Sequence, residues 1–552
     1  MHPVIVEHRE ERKPAQLDHI PSRGRGYVVY SLLALILLLT FAIRFHLRNL
    51  PLERDEGEYA YAGQLMLQGI PPYKLAYNMK LPGTYAAYAA ILALFGQSAA
   101  GVHLGVLAVN LITIVLVFLL AKRIAREWAA LVSAAAYSLL SLSPSVLGFA
   151  GHATHFVVMM ALAGVLLLFE AMARNRAWLF CATGVAFGFA FLMKQPGLMF
   201  AIFGGLYIIA SQQAERVNWR WLGQKLAIFS AGVVLPFAIT CFWLWRAGVL
   251  RTFWFWTFSY AAQYAMNQSL ADGIHQFGIV LPSVVGPCLW LWLIAAAGLA
   301  ATFLDDELRS NRLFVAGFLL FSFLAVCPDF LFREHYFILL LPAVSLCIGV
   351  AVHSATKALD RRAGTKILRY VPAFAFVLAL AGAFYVQSDF FLETDPVAAC
   401  RRIYGGNPFP EAIPIADYIR QHTSEDAKIA VLGSEPEIYF YAQRHSATGY
   451  IYTYGLMEEQ KYALTMQQQM IGEIESARPQ MLVLVNVSTA WLPRARSQTL
   501  IYGWAQRYIQ EHYDLSGIAD IHMAQTDYRW GEDAKNFQPR SSAVVFVFRR
   551  RN

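Results

Sequence analysis

The chain has 552 residues, of which 57% are hydrophobic, 14% aromatic and only 15% charged, against roughly 25% charged in soluble domains. Mean hydropathy is +0.42, and many apolar runs approach the roughly 20 residues that a bilayer core requires. Most of the protein must therefore be dissolved in lipid, which excludes an ordinary cytosolic enzyme, a disordered chain, collagen and a small disulfide scaffold. The net charge of +8 is spread among short loops between apolar segments instead of forming one stripe, so it reads as a topology signal and not as a nucleic-acid surface.

Residues 1–26 are polar, and the apolar stretch after them is long enough to span and has no small-residue cleavage site. They read as a cytoplasmic tail and not as a cleavable signal peptide. The first span, 27–46, follows Arg23 and Arg25, so the positive-inside rule puts the N-terminus in the cytoplasm and the first loop, within 51–100, outside. Leu81 to Phe95 is apolar but short. If it crossed, Lys122, Arg123 and Arg126 would reach the outer face, so it is expected to lie at the outer interface.

Further spans are expected at 102–121, 129–147, 155–172, 177–193, 197–211, 224–245, 277–302, 311–327, 335–353 and 368–387. They place AMARNR, Arg216 to Lys225, DDELRSNR and HSATKALDRRAGTK inside. The sum is about eleven transmembrane helices in a polytopic membrane domain over 27–387.

Residues 388–552 change character: KIAVLGSE, QMLVLVNVS and SSAVVFVF read as buried strands, alternating with helical patterns near 411–422, 456–476 and 498–512. The spacing predicts a soluble, extracytoplasmic α/β domain. The six cysteines are scattered and suggest no structural disulfide, a Cys327 to Cys400 pair staying open. No CxxC or HExxH spacing points to a closed zinc site.

Polar groups in the membrane half collect on one face. The first outer loop reads RDEGEYAYAGQLMLQGIPPYKLAYNMKLPG. Asp55, as N-cap with Glu58 three residues on, fits an acidic capping box, while Asp55, Glu56 and Glu58 beside a bilayer with Arg54 and Lys80 also fit a tuned acid–base site. The two roles are compatible, because a cap fixes a carboxylate in space. The same face receives His152 and His155 in GHATH, Lys194 in MKQPG, Arg333, Glu334, His335 and Tyr336 in FREHY, and the aromatic run TFWFWTFSY.

Plainer roles exist for each: a loop residue for His152, a snorkelling amine for Lys194, a span anchor for Arg333, and an interfacial belt for Trp254 and Trp256. With Tyr260, those tryptophans also suit a sugar or lipid groove. Acids and cations converging on one membrane face suit a sugar carried on a lipid phosphate. The phosphate leaves without protonation, so the reaction needs one base for the acceptor hydroxyl and cations for the departing charge.

The acidic pair after the first span, RDEGEYAY, with GxPPY, KLPG, KQPG and FREHYF, resembles the bacterial branch of glycosyltransferase family 39 in the GT-C superfamily. Relatives there include protein O-mannosyltransferases and the lipid A aminoarabinose transferase. The resemblance covers roughly 27–390, and GSEPEIYFYAQRHSATGY resembles the outer C-terminal domain of some bacterial members.

It implies a GT-C fold and inverting transfer from a polyprenyl-phosphate sugar to an envelope lipid, glycan or protein at the outer face. Asp55 would be the base and Glu56 its acidic neighbour. Lys80, Lys194, Arg333, His335 and Tyr336 would hold the donor phosphate or sugar. Where many relatives have an acid, GHATH has Thr154 and His155. His155 would substitute as a phosphate donor, and neither metal nor cofactor is expected.

The rival classes are a flippase for lipid-linked saccharide, which would favour inverted repeats and mid-membrane charges, and a binding module in the tail with the spans as anchor. In the tail, Glu435, Glu437 and Arg444 read as solvated surface.

Overall fold

The computed structural model describes residues 23–212, 218–265, 268–362, 366–523 and 525–551. Of the expected tail 1–26, residues 1–22 lie outside the described residues, as do parts of two expected basic loops, 213–217 and 363–365; the first helix already begins at Arg23.

Among the described residues, seven helices are long and apolar enough to cross a membrane: Gly26–His46, Ala99–Ile124, Ala153–Arg174, Trp219–Arg246, Leu270–Leu304, Leu341–Arg361 and Ile367–Val386. Four other expected spans fold as shorter helices, Glu127–Leu140, Ala177–Met193, Leu198–Ala210 and Arg312–Leu324. Helix length alone therefore carries seven of the eleven. The run 335–353 begins late, because residues 334–339 form a tight 3-10 turn ahead of the helix. Ala99–Ile124 and Leu341–Arg361 lie centrally, while Gly26–His46 turns Leu35, Leu38, Leu39 and Phe41 outward, the arrangement expected when lipid replaces water as solvent.

The first helix, α1 (Arg23–His46), buries Arg44 near its end. Its guanidinium donates to Asn110 Oδ1 and to the carbonyls of Ser141, Gly148 and Phe149, at 2.7–3.3 Å. A buried cation satisfied this fully by fixed acceptors pins the 141–150 loop that leads to His152.

Helix α2 (Arg54–Leu67) departs from the expected cap. Glu53 is the N-cap and Glu56 the third helical residue: Glu53 accepts from the Glu56 amide at 3.0 Å, and Glu56 Oε2 accepts from the Glu53 amide at 3.2 Å. The box is thus shifted two residues from Asp55 and Glu58, and Asp55 is freed from capping its own helix.

The C-terminal part forms a six-stranded sheet in the order β2-β1-β3-β6-β4-β5. β1 (Lys428–Leu432), β3 (Met481–Asn486) and β6 (Val544–Arg550) are the three expected strands. β1 pairs in parallel with β2 (His445–Ser446) and β3, whereas β6 runs antiparallel to β3 and to β4 (Tyr513–Ile521), which turns back into β5 (Thr526–Trp530). β4 carries Asp, Ser and Gly, so its apolar alternation is too weak to read from composition. Helices Phe409–His422, Ala463–Ala477 and Leu500–His512 follow the predicted patterns. All six cysteines are unpaired.

The sheet domain docks on α2. A Cβ at Gly57 would lie 2.6 Å from Glu437 Cβ and 2.7 Å from its backbone nitrogen, so the two elements meet only because Gly57 has no side chain. Gly57→Ala should loosen this contact at a cost of about 1–3 kcal/mol. The readout is a lower thermal midpoint in detergent with faster proteolysis inside 388–552; an unchanged midpoint and cleavage pattern would refute the steric argument.

Candidate active site

Two K-x-P-G turns are fastened to each other. Thr84 Oγ1 donates to the Met193 carbonyl at 2.7 Å, and Gln195 Nε2 donates to the Met79 carbonyl at 2.8 Å. At Gly83 a Cβ would fall 2.4 Å from the Leu192 carbonyl oxygen, so the glycine of KLPG permits the close approach. Lys80 and Lys194 thereby line one cavity of about 480 Å³ with Asp55, His152, Asp329, Arg333, His335 and Tyr336.

Lys80 Nζ sits 2.7 Å from both Asp55 Oδ1 and Glu58 Oε2. Glu58 is fully buried and also accepts from Tyr85 at 2.5 Å and Asn78 at 2.8 Å. Asp55 Oδ1 takes a further bond from the Tyr452 hydroxyl at 2.8 Å, while Oδ2 stays outside this set. Burial alone would raise the Asp55 carboxyl, but the Lys80 ammonium outweighs it and holds the group well below the usual carboxylate range. Glu58 shows the opposite balance: burial exceeds the help of Lys80 and raises it. The ionised pair is therefore Asp55 with Lys80.

The opposite wall carries cations with no such partner. Among the described residues no carboxylate lies within ion-pair distance of Lys194 or Arg333. Lys194 Nζ rests 3.9 Å over the Tyr336 ring, and burial pulls its ammonium down to about 7. Arg333 Nη2 donates to Tyr264 at 3.4 Å, and Tyr336 donates to Asp329 at 3.1 Å. The loop before Arg333 has Asp329, Phe330 and Phe332 in the left-handed region, with φ of 63°, 56° and 46°. Such backbone costs about 1–3 kcal/mol per residue and gathers at functional sites.

Of the GHATH histidines, His152 faces the cavity and His155 does not. His152 stacks on His335 with ring centroids 4.1 Å apart, and burial lowers it to about 4 and lowers His335 as well, so both are neutral imidazoles at neutral pH. His155 is buried within the helix that follows and does not line the cavity. Glu56 also lies off the cavity. It accepts from the Gly151 amide at 2.6 Å and pairs with His103 at 3.2 Å, tying α2 to the loop that Arg44 pins. Trp256 and Tyr260 line the cavity, whereas Trp254 is 52% exposed.

Glu435 and Glu437 are fully buried and Arg444 nearly so, contrary to the solvated surface expected of them. Glu435 Oε1 pairs with Arg54 at 2.6 Å, and Arg54 Nε also donates to the Ser434 carbonyl. Arg444 donates to the carbonyls of Arg420, Thr423, Ala442 and Gln443. Glu435 thus closes the joint between α2 and the sheet domain, a contact between residues some 380 positions apart, with Glu437 packed against Gly57, whereas Arg444 binds backbone within the C-terminal domain. The sequence pattern also gives no sign of Tyr452, which nothing local marks, or of Asp329, hidden in the apolar run before FREHY.

The segment 80–245 matches the family of dolichyl-phosphate-mannose-protein mannosyltransferases. No curated protein sequence matches the chain. Among solved structures, ArnT from Cupriavidus metallidurans in the apo state superposes with a TM-score of 0.58 at 14% identity, covering 96% of this chain and 98% of that one. The same protein bound to undecaprenyl phosphate gives 0.57, also at 14% identity and with the same coverage. The archaeal oligosaccharyltransferase AglB from Archaeoglobus fulgidus, in complex with an inhibitory peptide and a dolichol-phosphate, gives 0.51 at 13% identity, covering 94% and 76%.

The fold is that of the GT-C membrane glycosyltransferases, with a strand-containing C-terminal domain. Segment 80–245 is similar to the protein mannosyltransferase family, and the chain as a whole shares its fold with ArnT.

Burial, and then the charge of Glu435, raise the Glu437 carboxyl well above its ordinary value. A group raised on folding favours the folded state at pH below its unfolded value, and that stability is lost as pH rises toward the folded one. Glu437→Gln should therefore raise the thermal midpoint more at pH 8 than at pH 5. A midpoint difference independent of pH would show that Glu437 carries no bound proton in the fold.

Proposed function

We propose that this protein is an inverting glycosyltransferase that moves a sugar from a polyprenyl-phosphate donor to a hydroxyl of a cell-envelope lipid, glycan or protein at the outer face of the membrane. The observation that carries this reading is an ionised carboxylate, Asp55, facing unpaired cations across one cavity. Undecaprenyl phosphate in ArnT and dolichol-phosphate in AglB support a lipid phosphate as the group those cations meet. Lys122, Arg123, Arg174 and Arg176, grouped where the spans end away from the cavity loops, support outer-face action by the charge rule.

In this reading the acceptor hydroxyl enters beside Asp55. As its oxygen bonds to the anomeric carbon, Asp55 Oδ2 takes the proton and the bond to the phosphate oxygen breaks, inverting the carbon. Lys80 keeps Asp55 ionised and aimed. Tyr452, from the C-terminal domain, holds the same oxygen from the other side, leaving Oδ2 as the free base oxygen. Lys194 and Arg333 stabilise the charge gathering on the leaving phosphate, with Tyr336 packed under the lysine. His335 and His152, as neutral rings, present N–H groups to phosphate or sugar, and Trp256 and Tyr260 offer the sugar an aromatic wall.

The tests work whichever sugar is moved. Mass spectrometry of envelope lipids and glycoproteins from cells with and without the gene should reveal one missing glycan. Asp55→Asn should fail to restore it, with a rate loss of about a hundredfold or more, while the purified variant still binds undecaprenyl phosphate. Arg333→Ala should weaken that binding by roughly 10- to 100-fold, the worth of one charge-assisted hydrogen bond. Restoration by Asp55→Asn would remove the base from the scheme, and unchanged lipid binding by Arg333→Ala would remove the phosphate site.

A further inference from the structure

Glu458 follows the short helix Tyr454–Met457 of the C-terminal domain, is 7% exposed and lines the cavity. The Tyr260 hydroxyl donates to its Oε2 at 2.8 Å, a bond that joins this domain to the membrane half. Gly455 makes room for it, because a Cβ there would lie 2.7 Å from the Tyr260 hydroxyl oxygen. Oε1 accepts from nothing among the described residues and stays open to the cavity. An ionised carboxylate offers about four acceptor positions, so one this enclosed, with a single donor on it, keeps capacity for a ligand.

Burial, the largest influence, raises the Glu458 carboxyl above its ordinary value, while the Tyr260 bond and then the charges of Arg494 and Arg333 oppose it. Among the described residues no cation lies within ion-pair distance of Glu458, and the two arginines act from farther off. The group lacks close hydrogen-bond donors and does not lack positive charge.

The surroundings of that carboxylate are aromatic. Tyr260 ends a π-helical stretch, Phe255–Tyr260, a rare geometry found mostly at functional sites. Trp256, four residues earlier, stands with its ring centroid 5.1 Å from that of Tyr260. It also stacks on Tyr77 at 5.7 Å and meets Tyr450 edge-on at 5.7 Å, and all four rings line the cavity. An aromatic wall ending in a carboxylate complements a ring that is apolar on its C–H face and carries hydroxyls at its rim.

We propose that Glu458 is a specificity-determining residue for the transferred sugar, its free oxygen accepting hydrogen bonds from hydroxyls of a neutral sugar ring that lies on Trp256 and Tyr260. Charge selects the class. An amino sugar would bring a further cation beside Arg494 and Arg333, and a uronic acid would set a second carboxylate against Glu458. Either like-charge contact rejects the wrong ligand as effectively as a good contact holds the right one. The role rests on the proposed glycosyl transfer, and it gives the C-terminal domain a part in choosing the sugar.

Equilibrium binding to the purified full-length protein in detergent tests this, with undecaprenyl phosphate alone and its esters with glucose, mannose, galactose, glucosamine and glucuronic acid as probes. The native protein should bind a neutral-sugar ester more tightly than the bare lipid. Glu458→Gln keeps the shape and removes the charge. It should lose roughly 10- to 100-fold of that ester's affinity, the worth of hydrogen bonding to a charged group, and leave binding of bare undecaprenyl phosphate unchanged. Unchanged elution and thermal midpoint would show the variant folded. If it does not fold, Tyr260→Phe decides: it keeps the ring, removes only the bond that aims Glu458, and should reduce the same preference with bare-lipid binding intact.

The role is overturned if the folded variant keeps the native preference or loses the bare lipid as much as the ester. It is equally overturned if the native protein favours no neutral-sugar ester, or prefers the glucosamine or glucuronic acid ester. In each of these cases native binding of undecaprenyl phosphate and a missing envelope glycan would still support the transfer reading. Loss of both would refute that reading, and the sugar role with it.

Discussion

One ammonium group organises the site. Lys80 lies between Asp55 and Glu58, 2.7 Å from each, in a place where its own side chain is only 20% exposed. Charges withdrawn from water persist only if they are paired and their remaining hydrogen-bonding capacity is met. That condition recruits the rest. Asn78 and Tyr85 satisfy Glu58, Tyr452 satisfies Asp55, and the carbonyl of Lys80 is held by the Tyr73 hydroxyl at 2.7 Å. Neighbouring residues of the same helix repeat the pattern, with Arg54 on Glu435 and Glu56 on His103. The first two turns of α2 thus turn polar groups toward three parts of the chain: Arg54 to Glu435, Asp55 and Glu58 to Lys80, and Glu56 to His103.

Against these matched groups stand Lys194 and Arg333, which no carboxylate among the described residues neutralises. The asymmetry is what makes the cavity chemically polar: it holds one carboxylate in its ionised form together with two basic groups that have no ion-pair partner among the described residues. Keeping such cations in place has a structural cost. It is visible in the three left-handed residues of the 328–333 loop and in the burial that lowers Lys194. The two fastened K-x-P-G turns and the Arg44-pinned loop supply the rigidity that holds the walls apart.

The C-terminal domain belongs to this arrangement and is not an appendage. It reaches the site through Tyr452 and closes the outer side of α2 with Glu435 and Glu437. The Tyr77 amide adds a backbone bond to the Gly449 carbonyl at 2.6 Å. Polar residues whose partners lie in a different half of the molecule look like ordinary surface until the halves are brought together.

The sequence by itself determined the solvent, the class of fold and the meeting of cations at one membrane face. These follow from run length, loop charge and short motifs such as KLPG, KQPG and FREHY, where proline and glycine dictate the turn beside the charged residue. The sequence suggests a capping box of Asp55 with Glu58. Tertiary structure forms it from Glu53 and Glu56 instead, leaving Asp55 and Glu58 to Lys80. It likewise chose His152 over His155, buried Glu435 and Glu437, and brought Tyr452 to Asp55. Local pattern sets which backbone a segment adopts, whereas the charge state and direction of a side chain depend on what distant segments remove from water around it.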